Sequence, residues 1–322
     1  MVGLQVLRSK LEPPSREEAL DAIEWRFASA RHQGRSHADA SVPCQDHVAV
    51  LADSDGTVVG SLADGAGSAK LSHYGAEILA DLASRLVAQQ FDQLFRATNN
   101  LGTLRASLAT DLLNALVTSA AKGLDVSADD RARLDLPDRS AEPLIKCDVR
   151  DLAATLLVVA VRGDRFITLH LGDGVIGVEH VLKGGTRVVR ALGIPDNGEF
   201  INETKFITSR DAAGSIRVYR GRVTTSSRAV TGFVMMSDGP EASLYIRSTR
   251  TMAGACSKLL QACRDLPTET MHEQLAETLR DVIVPRTHDD CSLVLIALAQ
   301  DSTSNDDEPA EPAGTNPREA QP

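Results

Sequence analysis

Five places in the chain share one pattern, an aspartate at the edge of an apolar run. Asp46 precedes HVAVL, Asp64 follows VVGSLA, Asp173 follows FITLHL, Asp238 follows GFVMMS, and the pair Asp289-Asp290 precedes CSLVLIAL. For any one of them a solvated turn is the ordinary explanation, because aspartate is a favoured turn and capping residue. Five together point further. Strand ends on one side of a sheet meet in space, so these carboxylates can converge. Converging carboxylates repel one another and resist ionisation unless cations sit among them. An all-oxygen donor set without His or Cys suits hard ions such as Mg²⁺, Mn²⁺ or Ca²⁺. Two such ions side by side activate water and attack phosphorus.

The elements that must position these groups are readable from periodicity. Val58 to Gly67, VVGSLADGAG, is a buried strand running through an Asp-Gly turn into a helix. Before it, Trp25–Ala30 alternates as a strand, and His47–Leu51 pairs with Thr57–Leu62 across the turn Ser54-Asp55-Gly56. Helices are expected over 68–92 and 103–121, each with one apolar stripe. Residues 124–150 are charged, carry two prolines and read as a surface loop or insertion. Then the period becomes that of strands. They are expected at Ala153–Val161, Phe166–Leu171, Val175–Val178, Thr186–Val189, Lys205–Thr208, Ile216–Tyr219, Gly232–Met236 and Cys291–Ala297. Helices around Met252–Cys263 and Thr268–Leu279 precede the last strand, with Pro267 poised to start the second. Strands and helices are grouped rather than alternated. That indicates an α+β chain of mostly antiparallel sheets with helices outside.

Composition excludes several classes. Of 322 residues, 43% are hydrophobic and only 3% aromatic, so a large core must be built from Val, Leu, Ile and Ala. The formal charge of −10 argues against nucleic acid as a partner. No apolar run is long enough to span a membrane, and the N-terminus lacks an apolar core of signal length. Five cysteines, none in a C-x-x-C pair, suit free thiols in a reducing cytoplasm. Residues 1–14 read as a loose arm, with a capping box at Ser15 and Glu18 starting a short helix. The acidic tail 300–322 reads as disordered.

The order QD, ADGAG, TLLVVAV, LGDG, SDG, HDDCSLVLI resembles the type 2C (PPM) metal-dependent serine/threonine protein phosphatases, over roughly residues 24–298. GRSH at Gly34–His37 and GEFINETKF at Gly198–Phe206 further resemble a bacterial branch. The resemblance implies an α-β-β-α sandwich, two mostly antiparallel sheets flanked by helix pairs, over residues 15–299, with a flap-like region at 175–231. It implies Mg²⁺ or Mn²⁺ as cofactor, two ions, with Asp64 bridging them and Gly65 giving a backbone carbonyl. Asp238 and Asp289 then hold one ion and Asp46 supports the other. Asp173, with Asp238, can hold a third, weaker ion. A metal-bridging water is the implied nucleophile on phosphoserine or phosphothreonine, with no phosphoenzyme. The implied partners are a phosphoprotein substrate and a cognate serine/threonine kinase system.

The chain departs from the family pattern in three places. Ala66 stands where relatives often carry a proposed general-acid His. Ser41 and Val42 stand where many relatives carry a phosphate-gripping Arg, for which Arg35 or His37 are the candidate substitutes. Glu241 is the acid nearest to a further aspartate of many relatives. Two other readings share these residues: a phosphatase-like regulatory or binding module with little turnover, and a hydrolase of small phosphate esters.

Overall fold

The computed structural model describes residues 23–97, 99–182, 184–192, 204–223, 228–249 and 251–299. The expected N-terminal arm, the capped helix from Ser15, most of GEFINETKF and the acidic tail lie outside these residues.

Strand β4 (Leu156–Arg162) shows how the layers arise. Its run LLVVAVR is apolar at almost every position because both faces are covered. Leu156, Val158 and Ala160 join one core, and Leu157, Val159 and Val161 join another. Among the described residues, twelve strands form two antiparallel sheets. One holds β2 (Asp46–Ala52), β3 (Val58–Asp64), β4, β5 (Arg165–Leu171) and β8 (Arg217–Arg222), in that order. The other runs β1 (Trp25–His32), β12 (Cys291–Leu298), β9 (Arg228–Met236), β6 (Val175–Leu182), β7 (Arg187–Ala191), β11 (Thr251–Met252) and β10 (Tyr245–Ile246).

The sheets face each other across a core of Leu62, Leu157, Val159, Phe233, Met235, Val294 and neighbours. They approach closely at Gly60, where a Cβ would stand 2.8 Å from Val294 Cγ1. Helices α1 (Ser72–Gln89) and α2 (Leu101–Lys122) cover the outside of the five-stranded sheet with Ala76, Leu79, Leu108, Leu112 and Leu116. On the seven-stranded sheet, α4 (Gly254–Asp265) and α5 (Thr268–Thr278) bring Leu260, Cys263, Met271 and Leu275. Between β9 and β10 lies α3 (Asp238–Leu244). The result is the expected α-β-β-α sandwich.

Four details differ from the sequence reading. The first long helix begins at Ser72, not 68, because Gly65–Leu71 is spent on turns whose amides bond back to Gln45, Ala66, Ala153 and Asp151. Lys205–Thr208 is not a strand; Ile207 instead donates its amide to Ala154. Residues 124–150 are not wholly surface loop: Leu124 and Ile145 exchange backbone hydrogen bonds at 2.8 and 2.9 Å. Arg131, also buried, donates to the carbonyls of Val126, Pro137, Glu142 and Pro143. The hairpin β10–β11 is an addition with no counterpart in the expected elements.

Candidate metal centre

Register brings the aspartates to one end of the sandwich. Asp46 opens β2 and Asp64 closes β3, and the two are cross-strand partners. Thr155, just ahead of β4, continues that ladder: it donates its amide to Asp64 O at 2.8 Å. Its hydroxyl oxygen accepts from Asp64 N at 3.1 Å. In the facing sheet Val175 pairs with Met236. Asp173 lies two residues before Val175 and Asp238 two after Met236, so antiparallel register sets them opposite each other. Gly172-Asp173-Gly174 is therefore no hairpin turn but the crossing from one sheet to the other. A Cβ at Gly174 would stand 2.7 Å from Met236 O, so glycine permits the crossing to lie this close. Asp289 immediately precedes Asp290 and β12.

A side chain–side chain hydrogen bond joins the two sheets at this end. Ser237 Oγ, from the end of β9, donates to Asp46 Oδ2 at 2.7 Å. Asp46 is fully buried, and its other oxygen, Oδ1, has no hydrogen-bond partner. Burial, with Asp290 and Asp238 adding, pushes the Asp46 carboxyl up to about 7. Burial and then Asp46, Asp238, Asp173 and Asp289 push Asp64 well above the usual carboxylate range. Asp238 rises to about 7 through burial, then Asp289 and Asp173. These mutual effects mark one shared space. Among the described residues no three His, Cys, Asp or Glu side chains are grouped closely enough to hold a metal ion between them.

The residues fit a hard divalent cation. A buried carboxylate oxygen without a partner is costly unless a cation meets it, and every candidate donor is an oxygen. Gly65 is required here, since a Cβ would be 2.8 Å from Ser72 Cβ and Oγ.

Arg35 and His37 sit on a short helix, Arg35–Asp39, clamped to the segment before β12. Arg35 Nε donates to Thr287 O at 2.9 Å. His37 Nδ1 lies 2.9 Å from Asp290 Oδ2, so that ring nitrogen is engaged in orienting a loop. Asp173 accepts from Thr204 Oγ1 at 2.8 Å. Asp289 is exposed, and its Oδ1 accepts from Asp290 N at 2.9 Å. Ala66 is buried and brings no titratable group.

Several supporting roles were not read from the sequence. Asp290, noted there only as half of the Asp289-Asp290 pair, is buried and accepts from Gly34 N at 2.6 Å and Gln45 N at 2.5 Å besides His37. It ties the GRSH and CQD segments to the Asp-Asp pair, and of that pair Asp290 is buried and Asp289 exposed. Arg31 Nη1 donates to Asp46 O at 2.7 Å and brings a guanidinium to the rim. The serine ahead of Asp238-Gly239 was the visible signal for Ser237.

A two-sheet sandwich with carboxylates gathered at one end defines the structural class, and comparison with known proteins gives the family. The family model for protein phosphatase 2C matches residues 33–280. The chain belongs to the protein phosphatase 2C family. It is 27% identical over 293 residues to serine/threonine-protein phosphatase 3 of Escherichia coli K12, covering 86% of this chain and all of that one. A solved bacterial serine phosphatase shares the fold with a TM-score of 0.52 at 13% identity, over 87% of this chain and 99% of the other. The phosphatase Stp1 of Staphylococcus aureus gives 0.50 at 14% identity, over 86% and 96%.

Proposed function

We propose that this protein hydrolyses phosphoserine and phosphothreonine monoesters in proteins, with two divalent cations, Mg²⁺ or Mn²⁺, as cofactor. The observation that carries this reading is the Ser237–Asp46 hydrogen bond between the two sheets, at the end where Asp64, Asp173, Asp238 and Asp289 also lie. Asp46, Asp64, Asp238 and Asp289 bind the cations, and the Gly65 carbonyl completes the set. When bound, the ions supply an activated water for in-line attack on phosphorus without a phosphoenzyme, and they offset charge on the phosphoryl oxygens.

The chain's own residues do the positioning. Ser237 orients Asp46, and Thr155 fixes the backbone of Asp64. Asp290 holds the loops of Gly34 and Gln45 against the strand end that carries Asp289. Arg35 and the free ring nitrogen of His37 are the candidates for receiving the phosphate from the rim. Ala66 carries no proton donor, so the leaving alkoxide takes its proton from solvent. A serine/threonine kinase system is the natural source of substrate.

The test is hydrolysis of a phosphothreonine peptide with Mn²⁺ or with chelator. Turnover should need the metal and fall on the order of a thousandfold in Asp64→Ala and Asp238→Ala, the rate equivalent of several kcal/mol of charge stabilisation. Metal-independent turnover would overturn the reading. Mn²⁺ binding without turnover would make the chain a phosphatase-like binding module, and a preference for small esters over phosphopeptides would make it a general phosphomonoesterase.

A further inference from the structure

Three carboxylates share the corner where the chain crosses from β5 to β6 and where β9 runs into α3. Asp173 and Asp238 extend the Val175–Met236 register pair. Glu241 lies one turn after Asp238 on α3 and is 3% exposed. Such a corner ordinarily invites a cation, and here the chain supplies one itself. Arg247, beside the β10–β11 hairpin, closes on Glu241 with both arms: Nε donates to Oε1 at 2.5 Å and Nη2 to Oε2. Both Glu241 oxygens are thereby engaged by the guanidinium. The side chain of Arg247 is 53% exposed, so it stands at the edge of the pocket rather than beneath it. Glu241 is three residues after Asp238 on the same helix face, so the guanidinium paired with it stands on the Asp238 side of the corner, and its charge also acts on Asp173 and Asp238. A guanidinium in a bidentate pair is a fixed cation that does not discharge at any working pH. A divalent ion at this corner would have to sit beside a like charge or displace it.

We propose that Arg247 takes the electrostatic place of a divalent ion at the Asp173–Asp238–Glu241 corner, limiting the pocket to two metal ions. This rests on the two-ion reading above. Removing the guanidinium leaves three carboxylates without compensation, and that corner then recruits a third, weaker ion through Asp173 and Asp238.

Titration of the intact protein with Mn²⁺, following the free ion by electron paramagnetic resonance, tests it. The unaltered protein should bind two ions, and Arg247→Met should bind a third more weakly. Asp173→Asn alone should leave the count at two, because in the unaltered protein the charge of Arg247, not an ion, offsets that corner; this arm stands even where Arg247→Met does not fold. Three ions on the unaltered protein, no third ion on Arg247→Met, or an ion lost in Asp173→Asn would each overturn the proposal while leaving the phosphatase reading intact. No Mn²⁺ binding at all would overturn both.

Discussion

Two buried side chains, Ser237 and Asp290, hold the acidic end of the sandwich in shape. Ser237 spends its hydroxyl on Asp46 Oδ2 and also accepts from Ser292 N at 3.1 Å. Ser237→Ala frees Asp46 to rotate and should weaken Mn²⁺ binding about ten- to a hundredfold, the usual effect of losing a partner behind a ligand. Isothermal titration measures it directly. Asp290 is more a fastener than a ligand: as a carboxylate it accepts from two backbone amides and is met by His37. Asp290→Asn turns an NH₂ group toward donors, and leaving a charged-group hydrogen bond unmade costs about 1.5–3 kcal/mol. Urea unfolding should show that loss even without metal, which separates it from the effect of Ser237→Ala. Glycine matters where backbones nearly touch. A Cβ at Gly239 would lie 1.9 Å from Asp290 O, so Gly239→Ala must move the start of α3, and Asp238 with it.

At the scale of elements, what was legible in the sequence follows from how each signal is written. The runs of β4, β9 and β12 are apolar on both faces because each lies between a helix layer and the opposite sheet, and runs like these read clearly. The Asp-Gly boundaries at Asp64 and Asp238 were legible because a strand must stop where the polar chemistry starts. Lys205–Thr208 read as a strand from composition alone, but its backbone bonds go to Ala154 and into its own turn. The β10–β11 hairpin has two residues per strand, too few for any period to register. Its role through Arg247 depends on a contact with Glu241 that no local pattern announces. The pairing of Asp46 with Ser237 spans 191 residues and was equally invisible.

One element-scale prediction concerns how α4 is tied to its sheet. Glu179 on β6 and Arg264 on α4 are both buried and paired, with Thr231 donating to the same Glu179 oxygen at 2.7 Å. Burying this pair costs desolvation, but breaking it strands a charge. Glu179→Ala should destabilise by about 3–5 kcal/mol, while the double change Glu179→Leu with Arg264→Met should recover most of it. Denaturant midpoints of the three proteins decide the matter.

Over the whole molecule, the acidic end makes stability depend on pH and metal together. Asp46 and Asp238 titrate near 7 in the folded chain but near 3.8 when unfolded. The folded chain thus keeps protons that the unfolded chain has released, so their contribution is full below about pH 4 and is lost as pH rises toward 7. His170 opposes this: burial lowers it to about 3, so its contribution is lost as pH falls below 6.5. Burial lowers His47 and His73 in the same sense, each resisted by a neighbouring carboxylate, and together these imidazoles do not outweigh Asp46, Asp64 and Asp238. Without metal, the melting temperature should fall between pH 5 and 7. The rise on adding Mn²⁺ should grow over the same range, because the ion binds carboxylates only once they have shed their protons. A metal effect that shrinks with rising pH would contradict this.

The central claim is that carboxylates far apart in the chain meet at one end of two facing sheets to hold divalent ions. The most direct measurement is anomalous diffraction at the manganese edge from crystals soaked in Mn²⁺. Peaks bounded by Asp46, Asp64, Asp238 and Asp289 are predicted. Peaks elsewhere, or none in that space, would contradict it.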